Sequence, residues 1–208
     1  MKVLLINGSP KAKGCTYTAL CEIAKELEKE KIEAEIFHIG NKPIIGCTAC
    51  NNCFNTKSGK CVFDDDTVNA ALEKAKAADG FIFGSPVHYA SASGLITSFL
   101  DRFFYAGNCF EYKPGAAIVS CRRGGATAAF EQLNKYFTIS NMPVVSSQYW
   151  NMVHGNTPEE VKQDLEGMQT MRTLGKNMAW LLKCIQAGKK AGISLPQKEP
   201  MAVTNFIR

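Results

Sequence analysis

Residues 2–20 read KVLLINGSPKAKGCTYTAL, and the order of apolar and polar residues in this stretch points to the fold. The apolar run Val3–Ile6 predicts a buried strand. The strand ends at Asn7–Pro10, and a polar loop leads from there into a helical pattern that begins at Thr16. A buried strand followed by a loop and a helix is typical of the first unit of an α/β sheet.

Strand patterns recur along the chain and alternate with helical ones. Apolar or alternating runs predict strands at 2–7, 33–39, 80–86, 116–121 and 143–150. Apolar residues three to four positions apart predict helices at 16–30, from 68 onward, around 96–104, through 130–137, and one long closing helix over 161–185. This alternation predicts an α/β fold, a doubly wound five-stranded parallel sheet with helices on both faces and a C-terminal extension.

Length and composition bound the kind of protein. A chain of 208 residues with 46% hydrophobic residues predicts one domain over 1–188, followed by a C-terminal tail over 189–208. No apolar run reaches the roughly 18 residues that span a bilayer, and no signal-peptide pattern is present, so we expect a cytoplasmic protein with no membrane partner. The net charge of +5 is mild, and no basic block interleaved with aromatic residues indicates a nucleic-acid partner.

Ligands of doubly wound sheets bind outside the carboxyl ends of the strands. The loops 8–16, 86–94 and 121–126 are expected at that edge, and the cysteine-containing loop opens there as well. The first of these loops contains neither GxxxxGK[ST] nor GxGxxG, which disfavours a P-loop and a dinucleotide fingerprint.

What remains in the first loop is a set of hydroxyl groups and backbone N–H groups that lead into a helix N-terminus. Ser9 and Thr16 can donate to phosphate oxygens, and Lys11 adds positive charge. This combination predicts a site for one terminal phosphate monoester. The alternative is that Ser9 and Pro10 form only a turn and that Thr16 only caps the helix.

The second and third loops are predicted to surround a flat heteroaromatic ring. An extended backbone over 86–89 would present N–H and C=O groups to the ring edge, with Tyr89 covering part of the ring and small residues over 91–94 allowing close approach. The alternative is that His88 and Tyr89 are only exposed loop side chains, which is plausible for His88 by itself. The backbone N–H groups of 121–125 would form the third wall of the site.

Four segments resemble the NADPH-dependent FMN reductase family, which has the flavodoxin-like fold. They are GSPKAKGCT (8–16), GCTACNNCFNTKSGKCVFDDD (46–66), ADGFIFGSPVHYASASGLITSFLDR (78–102) and the final TNFIR (204–208). The branch that they resemble most is the iron–sulfur flavoprotein group. The family's phosphate loop often has Arg where Lys11 stands and Asn where Lys13 and Cys15 stand, so backbone contacts are better defined than side-chain contacts here.

The resemblance implies FMN as the cofactor, reduction by NAD(P)H, and transfer of electrons to a small-molecule or protein acceptor. It implies no catalytic side chain, because the flavin itself carries the chemistry. Backbone N–H donors from 121–125 would stabilise the reduced flavin ring. Arg122 or Arg123 could add positive charge there, or both could be solvated side chains. The residues predicted to hold FMN are Ser9, Lys11, Cys15, Thr16, Pro86, Val87, His88, Tyr89, Ser91, Cys121, Arg122, Arg123, Gly124 and Gly125.

Two other functional classes remain open. One is a flavodoxin-like electron carrier that takes its electrons from a partner protein, although the positive net charge is unlike the acidic surface of flavodoxins. The other is a non-enzymatic module that binds zinc or senses redox state through its clustered thiols. The sequence names no electron acceptor and does not separate NADH from NADPH.

Four of the nine cysteines are clustered, with the spacing C-x2-C-x2-C-x7-C at Cys47, Cys50, Cys53 and Cys61. Three ligands at this close spacing can wrap one iron–sulfur cube, and the resembling flavoproteins bind a [4Fe–4S] cluster through a similar run. The interval before the fourth cysteine is longer than in those proteins. Free thiols and a zinc site are the alternatives.

The resemblance also implies a homodimer or homotetramer, in which a neighbouring subunit closes the open side of the flavin site. Five aromatic residues are candidates for the subunit contact: Phe103, Phe104, Tyr105, Phe110 and Tyr112. The alternative is that they complete the core beneath their own helix.

Overall fold

The computed structural model describes residues 1–200, 202–204 and 206, and its strands and helices alternate along the chain. The strands are β1 (Lys2–Asn7), β2 (Glu33–His38), β3 (Gly80–His88), β4 (Ser91–Ala92), β5 (Gly115–Cys121) and β6 (Met152–His154). The helices are α1 (Cys15–Lys29), α2 (Asn52–Thr56), α3 (Val68–Lys76), α4 (Gly94–Ala106), α5 (Ala126–Ile139), α6 (Pro158–Gln163) and α7 (Leu165–Lys190). Part of the TNFIR run lies outside the described residues.

Five strands form one parallel sheet in the order β2-β1-β3-β5-β6, and the short β4 pairs with β3 in the antiparallel direction. Successive side chains of β1 alternate between the faces: Val3 and Leu5 pack with α1, α6 and α7, whereas Leu4 and Ile6 pack with α3, α4 and α5. Both faces of β1 are therefore buried. The prediction of a doubly wound five-stranded parallel sheet with helices on both faces is confirmed.

The fifth strand is shorter and lies later in the chain than predicted. The segment 143–150 pairs with β5 only near its beginning, where the Val145 N–H donates to the Gly115 carbonyl oxygen at 2.8 Å. At Ser147 the chain turns away, because the hydroxyl group accepts from the Tyr149 N–H at 3.3 Å and donates to the Tyr149 carbonyl oxygen at 2.7 Å. The chain re-enters the sheet as β6. The prediction of a strand over 143–150 is therefore wrong.

The single closing helix predicted over 161–185 is also wrong, because Asp164 divides it into α6 and α7. Asp164 has a ψ of 81°, outside the helical region. Its carboxylate accepts from the Gly167 N–H at 2.9 Å and from the His154 N–H at 2.6 Å, so it caps α7 and ties that helix to β6. The second helix continues to Lys190, two residues past the predicted domain boundary at 188.

Phenylalanine side chains fill the space between β3 and α4. Phe81, Phe83 and Phe103 are fully buried, and their rings lie within 5.8–6.5 Å of one another. The five aromatic residues proposed as subunit contacts differ in burial: Phe103 and Phe110 are buried, Phe104 and Tyr112 are half-buried, and Tyr105 is 72% exposed.

Among the residues described, no helix combines the length and the apolar character that crossing a bilayer requires.

We expect Asp164→Ala to lower the free energy of unfolding by about 1–2 kcal/mol, because the first turn of α7 and the His154 N–H lose their acceptor. Urea denaturation followed by circular dichroism measures this change. The exposed Gln163→Ala is the control, and we expect it to change stability by less than about 0.5 kcal/mol. Equal stability of the two variants would contradict the capping role.

Candidate functional site at the carboxyl edge of the sheet

The loops that follow β1 and β3 are fastened to each other at the carboxyl edge of the sheet. The Gly8 N–H donates to the Gly84 carbonyl oxygen at 2.8 Å. The Ser93 hydroxyl group donates to the Gly8 carbonyl oxygen at 3.2 Å, and the Ser93 hydroxyl oxygen caps α4 by accepting from the Ile96 N–H. A Cβ atom at Gly8 would lie 2.7 Å from the Gly84 oxygen, so this close approach requires glycine. The loops after β1 and β3, two of the three predicted to bind the ligand, are therefore joined directly by hydrogen bonds.

Asn7, which the sequence analysis did not single out, holds the first loop in shape. It is fully buried, its Oδ1 accepts from the Ser9 N–H at 3.2 Å, and its Nδ2 donates to the Ala12 carbonyl oxygen at 3.1 Å. The Ser9 hydroxyl oxygen in turn accepts from the Lys11 N–H at 3.1 Å. A polar residue ending a fully apolar strand is the signal that could have identified Asn7.

The N-terminus of α1 opens into this loop. Its N-cap residue is Gly14, with no side-chain capping bond, so the alternative in which Thr16 caps the helix is wrong. The Thr16 hydroxyl group instead shares a hydrogen bond of 2.8 Å with the Ser120 hydroxyl group, deep under the loop. Burial raises the pKa of the Cys15 thiol above its ordinary value, and this thiol lies 3.7 Å from the Gly155 carbonyl oxygen. The first-turn N–H groups of α1 are therefore the donors available to an anion.

The second loop is a tight hairpin. The backbone is extended from Pro86 to His88, as predicted, but Tyr89 and Ala90 have positive φ angles of 48° and 59° and reverse the chain into β4. The Tyr89 side chain is fully exposed. The Ser91 hydroxyl group donates to Oε1 of Gln132 on α5 at 2.6 Å, which fixes the hairpin to that helix.

The third loop packs against this hairpin. Gly125, the N-cap of α5, has a φ of 91° and no side-chain capping bond. A Cβ atom there would lie 2.5 Å from the Ala90 Cα and 3.0 Å from the Val87 side chain. The buried Cys121 thiol donates to the Gly124 carbonyl oxygen at 2.9 Å and so closes the loop. The intervening residues, Arg122 and Arg123, are exposed.

These features fit a phosphorylated flavin. Two helices, α1 and α5, present N-termini without side-chain caps at the same edge of the sheet. Each such terminus carries about half a positive charge and unsatisfied N–H donors. The hairpin over 86–90 supplies extended backbone beside them, and the contacts of Gly125 hold it there. An anionic group and a flat polar ring are the ligands that this arrangement suits.

The cysteine loop forms a separate cavity of about 140 Å³. All four clustered cysteines line it, together with Arg102 and the aromatic residues Phe54, Phe63 and Tyr105. All four are free thiols, and Cys47 and Cys50 are exposed. Within residues 1–200, 202–204 and 206, no three Cys, His, Asp or Glu side chains are grouped closely enough to hold a metal ion. The four thiols are therefore not gathered around one point in this structure. By type, four cysteine sulfurs lining one cavity are the donors that an iron–sulfur cluster or zinc takes, and free thiols are the third interpretation.

Cys61 differs from its three partners because it is fixed at three atoms. Its N–H donates to the Asn69 Oδ1 at 2.8 Å, and its carbonyl oxygen accepts from the Asn69 Nδ2 at 3.0 Å. Its sulfur accepts from the Arg102 Nε–H at 3.2 Å. Neither Asn69 nor Arg102 belongs to the cysteine run, and their contacts with Cys61 were not predicted from the sequence. A polar residue and a charged residue within otherwise apolar helix faces were the available signals.

Two curated relatives are similar over nearly their whole length. An iron–sulfur flavoprotein of Methanocaldococcus jannaschii is 34% identical over 195 residues, which cover 89% of this chain and 100% of that protein. An iron–sulfur flavoprotein of Methanosarcina thermophila is 29% identical over 195 residues, which cover 91% of this chain and 99% of that protein.

Solved structures share the fold at low sequence identity. RosB superposes with a TM-score of 0.68 at 15% identity, covering 100% of this chain and 94% of its own. An archaeal flavodoxin superposes with a TM-score of 0.58 at 16% identity, covering 88% of this chain and 99% of its own. The fold is therefore flavodoxin-like, as expected.

The family description "NADPH-dependent FMN reductase" matches residues 1–157, which include β1 to β6 and every loop of the carboxyl edge described above. The similarity thus extends over three quarters of the sequence and over all of the sheet. The chain belongs to the NADPH-dependent FMN reductase family.

Proposed function

We propose that this protein is an iron–sulfur flavoprotein that carries electrons between FMN and an outside acceptor. The observation that carries the proposal is that Cys47, Cys50, Cys53 and Cys61 all line one cavity, although the cysteines span 15 positions of the sequence. The names of the two relatives that match almost end to end support the same assignment.

The loops of the carboxyl edge would hold FMN. The first-turn N–H groups of α1 and the Ser9 loop, held in shape by Asn7, would receive the phosphate. The hairpin over 86–90 and the loop over 121–125 would enclose the ring. When bound, FMN supplies the exchange of one or two electrons, and a [4Fe–4S] cluster supplies the storage of a single electron.

The pair of hydroxyl groups formed by Thr16 and Ser120 would keep a role in this arrangement. In a hydrogen bond between two hydroxyl groups only one proton is used, so the acceptor of the Thr16–Ser120 pair retains its own proton for another partner. The pair also fixes the first turn of α1 against the end of β5. The backbone N–H donors of Cys15 and Thr16 are therefore already held in position before a ligand binds.

A second candidate function is NAD(P)H-dependent reduction of a flavin, quinone or other small acceptor. The family description favours it, as does an FMN-dependent NADPH-azoreductase of Staphylococcus saprophyticus that is 32% identical over 119 residues, covering 57% of this chain and 59% of that protein. In this case the cysteine loop would have no part in electron transfer.

Anaerobic reconstitution separates the two candidates. We expect about four iron and four acid-labile sulfide atoms per subunit in the wild-type protein, because four thiolates complete the ligand set of one [4Fe–4S] cube. Cys50→Ala removes one of the four ligands and should abolish stable incorporation. Cys184→Ala, at an exposed position on α7 outside the loop, should leave both contents unchanged.

A wild-type protein that takes up no iron but still oxidises NAD(P)H with FMN bound would overturn the carrier proposal and support the plain reductase. Stoichiometric zinc without sulfide would overturn both the cluster and the relay, and would favour a thiol-bound zinc site.

For the flavin site, Gly125→Ala should weaken FMN binding about tenfold, because a side chain at positive φ that also meets Ala90 and Val87 forces the two loops apart. Gly192→Ala is the matched control, since Gly192 also has a positive φ, of 83°, but follows α7 outside the flavin loops, and a Cβ atom there meets nothing within 4 Å. Fluorescence titration with FMN measures both affinities.

Equal FMN affinities in these two variants would show that the contact between the loops does not shape the flavin site. Mass spectrometry of the released flavin provides an independent check. FAD in place of FMN would contradict a site built for a single phosphate.

We also propose that a second copy of the chain covers the flavin edge. Tyr89 is fully exposed at the tip of the hairpin, and Tyr105 is exposed beside the cysteine cavity, so aromatic surface lies next to both candidate sites. We expect light scattering at micromolar concentration to give a dimer or tetramer. A monomer that binds FMN with full affinity would contradict this proposal.

A further inference from the structure

We propose that Arg102 is a positioning residue for the cluster, and that its hydrogen bond to the Cys61 sulfur raises the reduction potential of the cluster. The inference rests on the proposed function, because it assigns a role to a residue beside the four cysteines. The alternative role for Arg102 is purely structural, as a buried cation that holds the loop over 45–66 onto α4.

Arg102 is held rigidly by groups other than Cys61. Its side chain is 1% exposed, and it forms an ion pair with Asp66 through Nη1. Nη1 also donates to the Ile45 carbonyl oxygen at 3.2 Å, and Nη2 donates to the Phe63 carbonyl oxygen at 2.8 Å. Because the guanidinium group is planar, these three contacts also fix the direction of the Nε–H, which points at the Cys61 sulfur at 3.2 Å.

The guanidinium group keeps its charge in this site. Arginine is not deprotonated in proteins, so the group stays a cation here. The Asp66 carboxylate also balances the charge, so the buried arginine is not left uncompensated. The Nε–H is therefore a permanent, charge-assisted donor to sulfur.

A donor of this kind acts more strongly on the reduced state. Uptake of one electron adds negative charge to the cluster and its sulfur ligands, with no proton moved, and the electron comes from the reduced flavin or from a chemical reductant in the test. Hydrogen bonds to the sulfurs are among the features that set cluster potentials. The Nε–H directed at the Cys61 sulfur thus favours electron transfer from flavin to cluster, while Asp66 balances the charge of the guanidinium group.

The main test is a redox titration of the reconstituted protein followed by electron paramagnetic resonance. Arg102→Lys keeps the positive charge but loses the planar group that aims the Nε–H, and we expect its cluster potential to become more negative. Asn69→Ser is the comparison variant: it weakens the backbone anchor of Cys61 and a second bond to the Phe63 carbonyl oxygen, but it removes no atom of Arg102 or of the Cys61 sulfur. We expect lower iron content in Asn69→Ser and an unchanged potential in the clusters that do assemble.

A second measurement uses the wild-type protein and does not depend on whether any variant folds. Arginine labelled at Nε with the heavy nitrogen isotope is incorporated, the cluster is reduced, and pulsed electron paramagnetic resonance is recorded. We expect a hyperfine coupling from the labelled nitrogen, transmitted through the Nε–H to sulfur bond. Where Arg102→Lys can be prepared, we expect it to lack this coupling.

The outcomes separate this inference from the proposed function. A wild-type protein without iron and sulfide refutes the proposed function, and the inference with it. A cluster that forms but shows no arginine coupling, or a potential that is the same in wild type and Arg102→Lys, refutes the inference alone and leaves Arg102 with the structural role. A shift of equal size in Asn69→Ser would also refute it, because the shift would then follow the anchoring of Cys61.

Discussion

The carboxyl edge of this protein depends on how closely two glycines let its backbone segments approach. The Gly8 N–H bonds the Gly84 oxygen at 2.8 Å, and a Cβ atom at Gly84 would lie 2.7 Å from the Thr16 methyl group. Any side chain at either position would push the first loop off β3 or lift α1 from the sheet. The Thr16–Ser120 pair and the bond from Ser93 to the Gly8 carbonyl oxygen lie beside this contact and depend on the same close approach.

The sequence predicted those parts of the fold that depend on local pattern. The strands β1, β3 and β5 are apolar runs with Gly, Ser or Pro at or near their ends, so their positions along the chain could be inferred. Two predictions failed where a single polar side chain overrode the pattern. Ser147 turns the chain out of the sheet although valines precede it, and Asp164 interrupts a helical periodicity that continues on both sides. Such side chains act through partners that a one-sequence pattern does not reveal.

The same limit applies to the candidate site. Its position followed from topology alone, because the carboxyl ends of parallel strands meet at one edge. The side-chain roles did not: Thr16 is paired with Ser120, which lies 104 positions away, and Ser91 with Gln132, which lies 41 positions away. Arg102 and Asn69 were missed for the same reason, since only the folded chain brings them to Cys61. Residues that present backbone groups are easier to assign from sequence than residues whose side chains find distant partners.

One helix, α4, connects the two regions. Its N-cap, Ser93, is bonded to the loop after β1, and Arg102, nine residues later, lines the cysteine cavity. Nine residues of α-helix span about 14 Å, and this length does not change when loops move. The distance from Ser93, at the flavin edge, to Arg102, at the cysteine cavity, is therefore set by one continuous helix, and displacement of the surrounding loops leaves that distance unchanged.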